Sequence, residues 1–530
     1  AQRPCHAGHQ LMLFNSFVFI FGFLPAALIA FYATGRWLGA RAAAIVLSLA
    51  SLIFYAWFRP RDVPILLFAI VFNYLMGQVI QRARRLDRPA HAKALLVIGL
   101  VVDLSLLGYY KYANFVVDNV TAVTGSDYTL HHIVLPLAIS FFTFQKIAYL
   151  VDSARGVVSG TGPVEFGLFA SFFPQLLAGP IVHYSEIIPQ LRSPTFSRLM
   201  SRDLVIGLVI FAIGLAKKTV IADTLAGYAD PLYLHAAGQT WDLGRGWTAA
   251  ATYALQLYMD FSGYSDMAIG LARMFGVKLP LNFHSPLRAA SIIDYWRRWH
   301  MTLQRFLLAY VYQPIALPMN RWSAERGLTG WSAFTAGIAV PTLGTFLLSG
   351  IWHGAGWTFV LFGLIHAVYV LINEIWRERR KLINRRRRKA KLAPLVIGRW
   401  EIVGYHVLTL FALGFTNVMF RATSVADAWA ISRAMLGFDG VGTAGYTLPV
   451  DLGLILAATM AVVALFPNTQ QIMEKFRPAV NAALWTGTHQ PPLMWRWRPD
   501  AKGIVFAGLV LFVAVIFIQR GQAVFLYFNF

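Results

Sequence analysis

Cysteine is almost missing from this chain, with Cys5 alone among 530 residues, and that excludes a disulfide framework or a cysteine-based metal site. Charge is scarce as well. Charged residues make up 13% of the sequence against 57% hydrophobic, where soluble domains carry about a quarter charged, so a water-soluble fold could not hide the apolar surface. No His-Glu-x-x-His pair occurs and no two histidines stand four apart, which leaves no helical zinc site. Neither a phosphate-cradling Gly-x-x-x-x-Gly-Lys loop nor a Gly-x-Ser-x-Gly elbow is present. The absence of a visible internal repeat gives no support to the repeat architecture of many secondary transporters.

What the chain has in quantity is apolar runs, and about 20 such residues cross the hydrocarbon core as a helix. Spans are expected near residues 14–32, 42–58, 63–80, 92–110, 133–151, 166–182, 204–221, 248–275, 334–351, 357–376, 402–420, 452–466 and 503–518. The expected class is all-α, a polytopic membrane protein with about 11–14 transmembrane or re-entrant helices. Residues 1–11 read as an N-terminal extension with no assigned role, 12–376 as the transmembrane core, 377–400 as a basic cytoplasmic loop and 401–530 as C-terminal transmembrane helices.

The net charge of +22, from 46 Lys and Arg against 24 Asp and Glu, does not point to nucleic acid here. The basic residues gather in short connections between apolar runs, which is the positive-inside pattern of cytoplasmic loops, and anionic membrane lipids supply the counter-charge. The two densest groups, 82–93 and 377–391 with Arg385, Arg386, Arg387 and Arg388, therefore face the cytoplasm and place the N-terminus outside. Binding of an anionic cofactor is the alternative reading of the second group.

Residues 279–322 do not read as a simple span. His284, Arg288, Asp294, Arg297, Arg298, His300 and Arg305 are interleaved with Trp296, Trp299, Phe306 and Tyr310 and broken by Pro280, Pro286, Pro314 and Pro318. Charges at this density do not face lipid. An amphipathic or re-entrant piece is expected, with Trp and Tyr at headgroup level and polar groups turned toward a protein-lined cavity.

Ionisable groups inside apolar segments are costly and point to function. His353 lies between two long apolar runs, flanked by Trp352 and Trp357 and by Gly350, Gly354 and Gly356, glycines that permit a ligand's close approach or a helix break. Imidazole takes and returns a proton near neutrality. A general base and a core histidine bonded to a carbonyl both fit. His300 follows Trp299 and Arg298; if the piece is helical, Asp294 and Arg298 pair and Trp296 shares a face with His300, either bracing a working histidine or marking an interfacial helix. His366, 13 residues beyond His353, points toward the opposite face and reads as packing or as a lining group deeper in. Asp260 and Asp266 sit in an apolar span, and Asp266 with Arg273 suggests a buried ionic brace. His131 and His132 read as interfacial.

Taken in order, several runs resemble the membrane-bound O-acyltransferase superfamily, and within it the bacterial alginate O-acetylase branch. They are Leu135-Pro136-Leu137-Ala138-Ile139-Ser140-Phe141-Phe142-Thr143-Phe144-Gln145, Phe172-Phe173-Pro174-Gln175-Leu176-Leu177-Ala178-Gly179-Pro180-Ile181-Val182, Asp260 through Asp266 to Arg273, Tyr295-Trp296-Arg297-Arg298-Trp299-His300, and Trp352-His353-Gly354-Ala355-Gly356-Trp357. The resemblance covers roughly residues 12–376. It implies helices around a central tunnel in the bacterial inner membrane, acetyl-CoA as a cytoplasmic donor with no permanently bound cofactor, and hydroxyls of an extracytoplasmic polysaccharide as acceptor. It also implies His353 as the catalytic histidine and His300 as its supporting partner; the candidates for substrate-tunnel or supporting residues around them are Trp352, Trp357, Asp260, Asp266, Trp299, Arg298 and His366. A periplasmic or extracellular acetyltransferase protein that completes transfer is the implied partner.

One departure stands out. The branch's Arg-Asp pair and following Tyr-x-Tyr-x-Pro-Leu-Gly-Gly are replaced by Leu308-Ala309-Tyr310-Val311-Tyr312-Gln313-Pro314-Ile315-Ala316-Leu317. Both histidines are kept, so the reaction class stands, while the acceptor is left open among alginate, cellulose, peptidoglycan and other exopolysaccharides. The rivals are a D-alanyl transferase of the teichoic-acid type, a glycan or lipid transporter and a membrane scaffold.

Overall fold

The computed structural model describes residues 12–126, 130, 133–442, 445–482, 495–519 and 525–526. Residues 1–11, with Cys5, and His131 and His132 lie outside the described residues. The described residues form helices and connecting loops, with no strand among them, as an all-α membrane protein requires, because only closed backbone hydrogen bonding survives in lipid.

Nine of the described helices are long and apolar enough to cross a membrane: Val18–Leu38, Ala40–Phe58, Pro60–Arg85, Pro89–Thr124, Ser201–Tyr233, Gly330–His353, Trp357–Lys389, Arg399–Arg421 and Ala501–Ile518. Val450–Leu465 is apolar but shorter. The run at 166–182, expected as a span, is instead a broken piece: Pro163–Ser171, then the single turn Phe173–Leu176. Phe172 between them takes a non-helical ψ of 109°, and Pro174 then sits in the first turn of the next helix, where its missing N–H costs nothing. The basic stretch expected as a loop is helical as far as Lys389, because arginine and lysine are good helix formers.

By contact, the described residues fall into two units, one drawn from Ala1–Val220, Gly263–Pro280 and Met473–Phe528, the other from Ile221–Ser262 and Leu281–Ile472. In the first, helices Leu24–Leu38 and Ala40–Phe58 pack as a hairpin, as do Val63–Arg85 and Pro89–Leu107, with Ile139–Arg155 laid against the second pair. Its aromatic core is continuous: Phe14 stacks on Phe54 at 5.5 Å and on Tyr264 at 4.9 Å, and Phe173 meets Phe23 edge-on at 5.4 Å. Elsewhere two helices touch backbone to backbone. A Cβ at Gly214 would lie 2.6 Å from the Gly263 carbonyl oxygen, and one at Gly207 2.5 Å from that of Gly270. Lipid tails give helices no hydrophobic reason to associate, so close van der Waals packing at small residues does that work.

The second unit is organised by the hairpin of Val340–His353 and Trp357–Lys389. The chain leaves the first helix at Gly354 and enters the next after Gly356, both in extended backbone. Of the two readings of these glycines, the helix break falls at Gly354, while the space beside Gly350 and Gly354 is taken up by helix packing. A Cβ at Gly350 would meet the Phe359 carbonyl oxygen at 2.3 Å, and one at Gly354 the Phe359 ring at 2.1 Å.

Candidate active site

His353 is the last residue of helix Val340–His353 and is 4% exposed. The hairpin turn that follows directs its ring inward among aromatics: Trp352 at 4.9 Å, Phe420 at 5.2 Å and Phe362 at 5.7 Å between ring centroids, the two phenylalanines edge-on. Phe362 comes from the partner helix of the hairpin and Phe420 from the end of Arg399–Arg421. Such walls keep water from a reacting group.

His300 does not continue a helix. It lies between Ile292–Arg298 and Met301–Leu307 in the left-handed region, φ 42° and ψ 50°, a conformation that costs a non-glycine residue about 1–3 kcal/mol. Two backbone bonds hold the break: His284 N–H donates to the Arg298 carbonyl at 3.0 Å, and Met301 N–H to that of Asn282 at 2.9 Å. The ring is fully buried, 4.8 Å from Phe261 and 6.3 Å from Trp352. Burial pushes its pKa well below the usual histidine range and favours the neutral form.

Asn282, which sequence reasoning missed, orients this ring. Its Oδ1 lies 3.0 Å from His300 Nδ1 and accepts from the Thr302 hydroxyl at 2.9 Å and the Thr302 backbone N–H at 3.4 Å. A backbone N–H can only donate, which identifies the Asn282 atom as oxygen, so Nδ1 of His300 carries the ring proton and Nε2 the lone pair. No spacing rule links residues 18 apart in a loop. The two imidazoles thus share one neighbour, the indole of Trp352.

The other expected residues divide. Arg298 Nε donates to Asp294 Oδ1 at 2.9 Å, the pairing expected four apart on a helix. Trp299, 6% exposed, stacks on Tyr295 at 5.6 Å and meets Phe283 edge-on at 5.0 Å. Trp296 is also buried, so both indoles pack inside the protein. Trp296 does not face His300: its indole N–H donates to His366 Nδ1 at 3.2 Å. His366 is buried and reaches the His353 cluster through Phe362, 4.6 Å away.

Asp260, 1% exposed, precedes the Phe261 that touches His300. Trp357 opens its helix 56% exposed. Asp266 belongs to the other unit, and the expected brace with Arg273 is replaced by two pairs: Lys217 Nζ lies 2.6 Å from Asp266 Oδ2, and Arg273 Nη2 2.7 Å from Asp203 Oδ1. A neighbouring helix supplies each partner, which same-helix spacing cannot show. Among the described residues no group of three His, Cys, Asp or Glu is placed to hold a metal ion.

A multi-pass helical membrane protein with two buried, oriented imidazoles is the class that the fold and the site define. Residues 129–413 match the family model described as MBOAT, membrane-bound O-acyltransferase family, and the chain belongs to that family. It is 34% identical to a peptidoglycan O-acetyltransferase of Helicobacter pylori over 98% of each chain. It is 38% identical to a probable alginate O-acetylase AlgI of Pseudomonas aeruginosa over 81% of this chain and 75% of that one. A teichoic acid D-alanyltransferase of Streptococcus thermophilus is 27% identical over 50% of this chain and 63% of its own. The protein is accordingly an O-acyltransferase enzyme.

Proposed function

We propose that this enzyme transfers an acetyl group from cytoplasmic acetyl-CoA toward hydroxyls of an extracytoplasmic polysaccharide, with His353 as base and His300 as its positioning partner. The observation that carries the reading is the pair of buried imidazoles packed against the single indole of Trp352. Its support is that the relatives matched over most of the chain are named for O-acetylation of peptidoglycan and alginate.

The acceptor hydroxyl gives its proton to the His353 imidazole as its oxygen bonds to the thioester carbonyl carbon. The tetrahedral oxyanion then collapses, the carbon–sulfur bond breaks, and the imidazolium returns the proton to the leaving thiolate. One ester and one thiol result, with no redox change. The aromatic wall of Trp352, Phe362 and Phe420 strengthens each charge interaction by excluding water. The protein sits in the bacterial inner membrane with its basic stretches toward the cytoplasm, and a periplasmic or extracellular acetyltransferase partner completes delivery to the polymer.

The test is the full chain in liposomes with acetyl-labelled CoA inside and, outside, polysaccharide together with a periplasmic extract that supplies the partner. Label on the polysaccharide is the expected result. Transfer of D-alanine from a carrier protein in place of acetyl would overturn the donor assignment, and accumulation of glycan without any transfer would overturn the reaction.

A further inference from the structure

Buried polar atoms are paired in the great majority of cases, so a cluster of them without protein partners marks where water or a ligand sits. In the unit that holds His353, such atoms gather on one face of helix Leu243–Met274 and at the end of Arg399–Arg421. Tyr253 is fully buried, and its hydroxyl has no hydrogen-bond partner among the described residues. Gln256, three positions on and 3% exposed, has its Oε1 in the same condition. Residues three and four apart share a helix face, and Asp260 continues the row at 1% exposed.

Arg421 closes one end of this row. Its guanidinium lies 5.5 Å from the Tyr233 ring and 6.0 Å from that of Tyr253, and its Nη2 donates to Asp230 Oδ1 at 2.6 Å. Its Nε is buried with no partner among the described residues. The preceding residue is Phe420, whose ring lies 5.2 Å from His353. Arg421 therefore stands beside Tyr253, Gln256 shares that tyrosine's helix face, and in sequence Arg421 is one residue from the histidine's wall.

We propose that Tyr253, Gln256 and Arg421 form a hydrogen-bonding subsite for a sugar ring of the acceptor, next to His353. The ligand's identity rests on the acyl-transfer reading above, while the unsatisfied groups stand apart from it. A sugar ring carries adjacent hydroxyls that both give and take hydrogen bonds. Gln256 Oε1 takes one O–H, the Tyr253 hydroxyl gives to or takes from a second, and Arg421 Nε–H donates to a hydroxyl or carboxylate oxygen. Neutral and acidic sugars share the hydroxyl chemistry, and Arg421 is the group that separates them.

The experiment is calorimetric titration of the full chain in lipid nanodiscs, without acetyl-CoA, with a chito-oligosaccharide and with an oligo-uronate. Loss of one buried hydrogen bond corresponds to about a fivefold weaker affinity, and that is expected for Tyr253→Phe and Gln256→Leu. Tyr253→Phe keeps the shape of the ring, so its effect does not depend on a folding defect. Arg421→Gln is expected to weaken binding of both sugars, the uronate more strongly because it loses a carboxylate partner, and unchanged binding of both removes Arg421 from the subsite. A wild-type protein that binds neither sugar, or a Tyr253→Phe and Gln256→Leu pair with wild-type affinity for both, overturns the subsite. Sugar binding that weakens in the variants while wild-type protein transfers no acetyl supports the subsite and counts against the acyl-transfer reading.

Discussion

The side-chain oxygen of Asn282 lies 3.0 Å from Nδ1 of His300 and fixes which ring nitrogen carries the proton. The same oxygen accepts from Thr302 twice, and turning the amide over would set its NH2 against the Thr302 backbone N–H, donor to donor. Asn282→Leu is expected to lower the acyl-transfer rate by at least about tenfold, a part of the 10²–10⁴ that general acid–base assistance is worth, with little change in donor KM. Asn282→Asp, which keeps an acceptor at that place, recovers most of the rate. Steady-state kinetics check this, and an equal fall in both variants contradicts it.

His366 separates packing from chemistry. Its Nδ1 accepts the Trp296 indole N–H, and leaving that buried donor unsatisfied costs about 1–3 kcal/mol. His366→Leu is expected to lower resistance to detergent unfolding by that amount while the folded fraction keeps its specific activity. Loss of activity at full stability would assign His366 to the reaction.

The Lys217–Asp266 pair, 19% and 7% exposed in its side chains, is expected to behave as a buried brace. Lys217→Met removes the cation beside a buried carboxylate and lowers stability by about 3–5 kcal/mol, and adding Asp266→Leu restores much of it. A double-mutant cycle in mild detergent measures the coupling. Additive effects would show that the two charges do not depend on one another.

The close crossing at Gly214 and Gly263 leaves no room for a methyl group, since each added Cβ meets the other's carbonyl oxygen within 2.7 Å. Gly214→Ala is expected to cost about 1–3 kcal/mol. Gly227→Ala is the control, because nothing lies within 4 Å of its Cβ position, and it is expected to leave stability unchanged or raise it by about 0.4–1 kcal/mol. Equal effects at the two sites would contradict the packing account.

Local rules made part of this structure legible before any coordinates. Hydrophobic run length places the long helices, and four-residue spacing places Arg298 on Asp294. The broken piece at Pro163–Leu176, the left-handed turn at His300 and the partners of Asp266 and Arg273 depend on contacts between distant segments. Run length and periodicity carry no record of those. The glycines around His353 were visible as glycines, but only the packed hairpin shows that Phe359 occupies the space beside two of them. Asn282 had no motif of its own, and its value comes from the loop that carries it to His300.

The most direct measurement compares wild type with His353→Ala at equal amounts of folded, membrane-inserted protein, with a periplasmic extract supplying the partner, following labelled acetyl from CoA to polysaccharide. The account predicts transfer by the wild type and none above background by the variant. Normal transfer by His353→Ala would contradict it.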